Sequence, residues 1–173
     1  MEDKAKIPFW KHAITYGAIM AAVSIFLSLA FYFTNLYLNS WAQYANMGVG
    51  ILVLIYLMIQ YRKDVRGGYA QVFSMSFVSG LVSIIIGTLF GILMMNVLFP
   101  DMKEGMLIMV EEKILSNPRI PESMVDQAVE RATKNFEPVR QLLFGIGFGA
   151  FFQAIISLIV AAFIKKEEPI AQV

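Results

Sequence analysis

Three long blocks of the chain carry no Asp, Glu, Lys or Arg: residues 12–61, 67–100 and 141–164. The 14 basic and 13 acidic residues all fall in four clusters, at 1–11, 62–66, 101–140 and 165–168. A helix needs roughly 20 apolar residues to cross about 30 Å of hydrocarbon. The first block is long enough for two crossings with a turn between them, and the other two hold one each. The pattern therefore predicts four transmembrane helices, over about 12–38, 44–61, 70–98 and 140–164. The first turn is expected in LNSWAQY, where Asn39 and Ser40 supply turn chemistry and Trp41 and Tyr44 supply interface aromatics. Gly67 and Gly68 break the chain after the second span, and Phe99-Pro100 stops the third. All six prolines (8, 100, 118, 121, 138 and 169) lie outside the predicted spans, as helix continuity in lipid favours.

The segment between the third and fourth spans has a different pattern. Met102, Met106 and Met109, with Val110 beside them, form a stripe that Ile114 continues. After NPRIP the spacing recurs in Val125, Ala128, Ala132 and Phe136. Both stripes follow the i, i+3/i+4, i+7 period of an amphipathic helix. Pro118 and Pro121 mark the bend, with Pro121 expected as the first helical residue. The prediction is an αα-hairpin over 101–138 whose apolar faces pack on each other. The Met-rich face (Met102, Met106, Met109) is a candidate partner surface, because methionine adapts to irregular contacts.

Composition strengthens the membrane reading. Only 16% of residues are charged, against about 25% in soluble domains, and 58% are hydrophobic. A soluble bundle would need a polar face on each helix, and three long segments have none to offer. The first span is also far longer than the roughly 7–15 apolar residues of a signal peptide, so it is expected to remain as an anchor. The fold expected is all-α: an integral membrane four-helix bundle in one domain, with the amphipathic hairpin outside the cytoplasm.

Basic residues in the short loops set the orientation. Lys4, Lys6 and Lys11 precede the first span, Arg62, Lys63 and Arg66 follow the second, and Lys165 and Lys166 follow the fourth. The 34–43 turn has none. Both termini are thus expected in the cytoplasm, with the chain in a bacterial inner membrane. The 101–140 segment, with six basic and eight acidic residues, is expected on the opposite side.

Candidate chemistry is sparse. GIGFGA at 145–150 fits G-x-G-x-x-A, the turn that seats a dinucleotide pyrophosphate. That turn needs a preceding strand, whereas these glycines sit inside an apolar span where phosphate would be untenable. A spacing of four explains them better: Gly145, Gly149, Gln153, Ser157 and Ala161 make one row, and Ser79, Ser83, Gly87 and Gly91 make another in the third span. Small residues let helices approach closely in lipid, so the two rows are expected to face each other in a right-handed crossing. The first span has its own small stripe, Gly17, Ala21, Ser24 and Ser28, with 4-3-4 spacing.

Gln153 and Asn96 are the most polar side chains inside the spans. Gln153 is expected to be interhelical glue, with solute contact as its alternative role, and Asn96 to reach the interface. His12, the only histidine, is expected at the membrane surface. There is no Cys, so no disulfide or thiolate metal site can form, and a net charge of +1 gives no argument for nucleic acid. The spans carry none of the carboxylates a proton-coupled pump uses. The outer carboxylates Glu111, Glu112, Glu122, Asp126 and Glu130 read as solvated hairpin faces. No enzyme activity, nucleotide or cofactor is expected. The leading expectation is an accessory or assembly subunit, or a homo-oligomeric scaffold, with the bilayer and a membrane or periplasmic protein as partners. A small passive channel or transporter subunit is the alternative, and catalysis by the outer carboxylates ranks third.

The layout resembles the DUF4199 family, small membrane proteins of unknown function found mostly in Bacteroidota. The resemblance rests on a basic, Trp-bearing N-terminus leading into AITYGAIMAAVSI, a loop ending in RGGY, an acidic hairpin, and a glycine-rich last span ending in IKKEEP. It covers nearly the whole chain and implies membrane location with no known activity. Where family members often carry a GGYISYGQA-like stretch, this chain reads GGYAQVFSMS, which leaves Tyr69 and Gln71 as candidates there.

Overall fold

The computed structural model describes residues 8–65 and 68–164, with every side chain among them except those of Ser40, Asp64 and Glu122. Expectations resting on the lead before Pro8, on Arg66 and Gly67, and on the tail from Lys165 lie outside the described residues. Among these residues all regular structure is helical: α1 (Phe9–Phe33), α2 (Ser40–Asp64), α3 (Tyr69–Leu93) running into a π-helical turn (Met94–Leu98), α4 (Pro100–Leu115), α5 (Glu122–Lys134) and α6 (Pro138–Ile164). Four stretches, Phe9–Phe33, Trp41–Lys63, Tyr69–Leu98 and Pro138–Ile164, are long and apolar enough to cross a membrane. The chain is a multi-pass membrane protein. Its surface agrees: α6 turns Phe144, Phe148, Phe151, Phe152 and Phe163 outward, the last of them 85% exposed. Such a face belongs against lipid or another apolar surface.

The helix ends follow local chemistry. α1 stops five residues before the apolar run does, because Asn35 takes the left-handed conformation at φ 56°. Its N–H bonds the Tyr32 carbonyl at 3.0 Å, and the Leu36 N–H reaches back to the Phe31 carbonyl at 2.8 Å. That pair of bonds is a Schellman motif, with asparagine in the place glycine usually fills. At the other boundary α3 widens rather than stops. The Phe99 N–H bonds the Met94 carbonyl at 2.7 Å, and Pro100 then opens α4 at its first position, where a missing N–H costs nothing. Pro121 stands one residue ahead of α5, as its N-cap, rather than inside it.

α3 is the central helix, packed most extensively on α6 and α1 and also touching α2, while α2 reaches α1 and α6. The buried core gathers at one end of the bundle. Ala13 and Met20 of α1, Leu54, Met58 and Tyr61 of α2, Val72 and Met75 of α3, and Val160 of α6 form one cluster, at the end where the described chain begins and finishes. The far end adds polar ties to an aromatic cluster in which the Phe99 ring lies 4.2 Å from that of Tyr32 and 6.0 Å from that of Phe33. The Tyr32 hydroxyl donates to Asp101 Oδ2 at 2.8 Å, and Lys103 Nζ donates to Asn96 Oδ1 at 3.1 Å. Gln141 Nε2 donates to Met95 Sδ at 3.5 Å. α4 and α5 contact each other, and their expected apolar stripes form the less exposed faces.

Candidate functional site

The polar heart of the bundle is a seam between α3 and α6. Their antiparallel packing matches each step of four along α6 with a step of four back along α3. A Cβ at Gly145 would meet Thr88 at 2.9 Å, and one at Gly149 would meet Ile84 Cγ2, also at 2.9 Å. The Gln153 amide lies in the notch left by Gly80, where a Cβ would overlap it. The Ser157 hydroxyl accepts from Ser76 Oγ at 2.9 Å. Gln153 Nε2 donates to Ser157 Oγ and to the Ser76 carbonyl, both at 3.0 Å. Ser76, Ser157 and Gln153 are all buried. Both serines lie seven residues from the end of their helix, about 10 Å into the span at 1.5 Å per residue.

The α6 row of Gly145, Gly149, Gln153 and Ser157 therefore lies on the seam, but its counterpart on α3 is Ser76, Gly80, Ile84 and Thr88. The row expected to face it, Ser79, Ser83, Gly87 and Gly91, points elsewhere. Ser79 is buried against α1, where its carbonyl would lie 2.7 Å from a Cβ on Gly17. Gly87 and Gly91 would have nothing within 4 Å of an added Cβ. The physical reason is complementarity. A close approach needs one small residue per contact, so Gly145 and Gly149 accept the larger Thr88 and Ile84. One glycine on α3 accepts Gln153. Gly80 was legible as a small residue four places from Ser76, but Ile84 breaks the run of small residues in that row.

At the far end of the bundle a cleft of about 180 Å³ opens between α1, α2, the π-helical turn and α4. Met95, Met102 and Met106 line it, together with Ser28, Tyr37 and Asn46. Asn46 Nδ2 makes a long 3.4 Å bond to Ser28 Oγ, while Asn46 Oδ1 is buried with no partner. Two members of the expected partner surface thus face the protein's own interior, and Met102 is only 6% exposed. Met109 stays half-buried on the same stripe of α4, outside the cleft.

Residues 15–166 match the model of a family described as a protein of unknown function, DUF4199. The chain belongs to DUF4199. No curated protein and no solved structure matches it significantly. Of the two residues singled out in its GGYAQVFSMS stretch, Tyr69 turns its hydroxyl to the Leu158 carbonyl at 3.4 Å, while Gln71 is exposed. The other polar residues singled out in the sequence of this DUF4199 chain are held locally or exposed. Asn96 Nδ2 donates to the Ile92 carbonyl at 2.8 Å, within its own turn. The His12 ring packs edge-on to Tyr61 at 5.7 Å and tilted on Tyr16 at 5.6 Å. On α5, Lys134 pairs with Glu130, whose carboxyl it holds below the ordinary range, and Asp126 is exposed, as are Glu111 and Glu112 on α4.

Proposed function

We propose that this chain is a non-catalytic protein of the bacterial inner membrane, with both termini in the cytoplasm and α4–α5 on the opposite side. Its role is that of an accessory or assembly subunit, or of a homo-oligomeric scaffold. The observation that carries this reading is the chemistry of the seam. Its interior polar groups are one amide and two hydroxyls bonded to each other, with no titratable side chain among them. Such groups hold helices together and leave nothing over for acid–base or nucleophilic work. The Gln153 amide also fills its notch, so a water path through a single copy has no room there and a channel would need several copies. The stripe of Gly87 and Gly91, where an added Cβ would meet nothing within 4 Å, supports contact with another helix, because small residues at this spacing favour close association.

The native mass of the complex, after gentle extraction and brief cross-linking, tests the role. A stoichiometric second protein or a fixed number of copies is expected, and a lone monomer in its own membrane would refute it. Topology has its own test. Ser123 is exposed on α5 and the chain has no Cys, so Ser123→Cys is a unique reporter. Labelling by an impermeant maleimide in intact spheroplasts is expected, and protection there with labelling only after lysis would invert the orientation.

A further inference from the structure

The cleft at the far end is built for an occupant that hydrocarbon packing does not describe. Three methionine side chains from two elements line one cavity: Met95 on the π-helical turn, whose sulfur also accepts from Gln141 Nε2 of α6 at 3.5 Å, and Met102 and Met106 one turn apart on the same face of α4. The π turn and the bend at Phe99-Pro100 bring these two elements round the same cavity, and π-helical turns frequently mark functional sites. The Asn46 side chain also lines the cavity, and its Oδ1 is closed off from water and left without a donor. Native proteins satisfy nearly all such groups, so this one calls for a donor or a cation. A methionine side chain has three rotatable bonds, so the sulfurs can close on a guest with little change of backbone.

The lining also selects among cations. None of its described residues is Asp, Glu or His, and the chain has no Cys. Hard ions such as Mg²⁺ and Ca²⁺ require several oxygen ligands, and Zn²⁺ takes thiolate, imidazole or carboxylate. Thioether sulfur is a soft donor that selects Cu(I). We propose that this cleft binds one soft monovalent cation of the copper(I) class through the thioethers of Met95, Met102 and Met106, with Asn46 Oδ1 as the adjacent oxygen. The site is independent of the side of the membrane it faces and of the chain's subunit role.

The test uses the purified full-length chain in detergent or nanodiscs. Anaerobic Cu(I) is offered from a chromophoric chelator, and Ag(I) serves as an air-stable second probe. The parent is expected to withdraw one equivalent per chain, with a copper absorption spectrum showing a shell of sulfur scatterers. Met95→Leu, Met102→Leu and Met106→Leu each weaken binding at least tenfold, and the triple variant takes up none. Leucine nearly conserves methionine's volume, so these changes leave the packing in place. Met47→Leu and Met124→Leu, at exposed positions outside the cleft, bind as the parent does. The proposal is overturned if the parent withdraws neither ion, if the triple variant binds as tightly, or if the parent's spectrum shows only oxygen and nitrogen neighbours. The spectrum is read on the parent, so it decides even where a variant fails to fold. A lipid chain retained in the cleft, with no uptake of either ion, would also overturn it and assign the site to hydrocarbon.

Discussion

Replacing Gly17 by Ala adds one methyl group where α1 packs on α3. That methyl would lie 2.5 Å from Val82 Cβ, 2.6 Å from Val82 Cγ1 and 2.7 Å from the Ser79 carbonyl oxygen. None of these atoms can swing aside, since the valine is stiff at χ1 and the oxygen belongs to the helix backbone. Restoring ordinary contact at about 3.5–4.0 Å requires the helices to part by about 1 Å. Overpacking of this kind costs about 1–3 kcal/mol, against which alanine's better helix propensity returns up to about 1 kcal/mol. The net expectation is a loss of about 1–2 kcal/mol, on the order of a tenfold drop in the folding constant. Gly87→Ala supplies the control. Its methyl meets nothing within 4 Å, so it keeps the propensity gain without the clash. Reversible unfolding of each variant in mixed micelles with increasing SDS, followed by circular dichroism, reads both effects. The reasoning fails if Gly17→Ala is as stable as the parent, or if the two variants shift in the same direction.

Gln153→Leu removes one interhelical donation, to the Ser76 carbonyl, and one within α6, to Ser157, and at about 0.6 kcal/mol per interhelical bond the same unfolding assay is expected to report a loss of about 0.6 kcal/mol. Gly80→Ala, whose methyl overlaps the Gln153 amide, destabilises the parent but is tolerated in a Gln153→Ala background; equal costs in both backgrounds would remove the notch from the account. On α5, the Lys134 ammonium depresses the Glu130 carboxyl, so its stabilising contribution is present above the unfolded carboxylate value of about 4.3 and is lost as pH falls through the lower folded value. The protection of α5 amides, taken relative to the intrinsic exchange rate at each pH, is expected to fall over that acid range in the parent and to change less in Glu130→Gln.

The two ends of the bundle divide the work of stability and binding. Near the termini, apolar side chains from all four spanning helices close on one another around Met58 and Met75. At the far end the joins are an aromatic cluster of Tyr32, Phe33, Tyr37 and Phe99 together with single side-chain hydrogen bonds, such as Tyr32 to Asp101. These joins leave space between α1, α2, the π-helical turn and α4 for the cleft. The same contrast explains why the polar seam lies where it does. Ser76, Gln153 and Ser157 adjoin the packed end, where helices already in contact leave no room for water to compete.

What the sequence determined by itself was the number and place of the crossings. A span is a one-body property: lipid demands about 20 apolar residues from each helix whatever its neighbours are, so the charge-free blocks suffice. The period of the α4 and α5 stripes was legible for the same reason, since one helix carries the whole signal. The end of α1 was written in Asn35, but apolar residues on both sides hid it, and its turn became visible only with the left-handed backbone. Which stripe of α3 meets α6 was not legible, because contact depends on pairs. Ser76 and Gly80 occupy one stripe and Ser79, Ser83, Gly87 and Gly91 a neighbouring one, and periodicity of four fits both. Only the opposing helix decides between them, through Gly145 and Gly149 receiving Thr88 and Ile84. The cleft needed the tertiary structure for the same reason. Met95, Met102 and Met106 come together only after a π turn and a proline bend have reset the direction of the chain, and no spacing along the sequence records that direction.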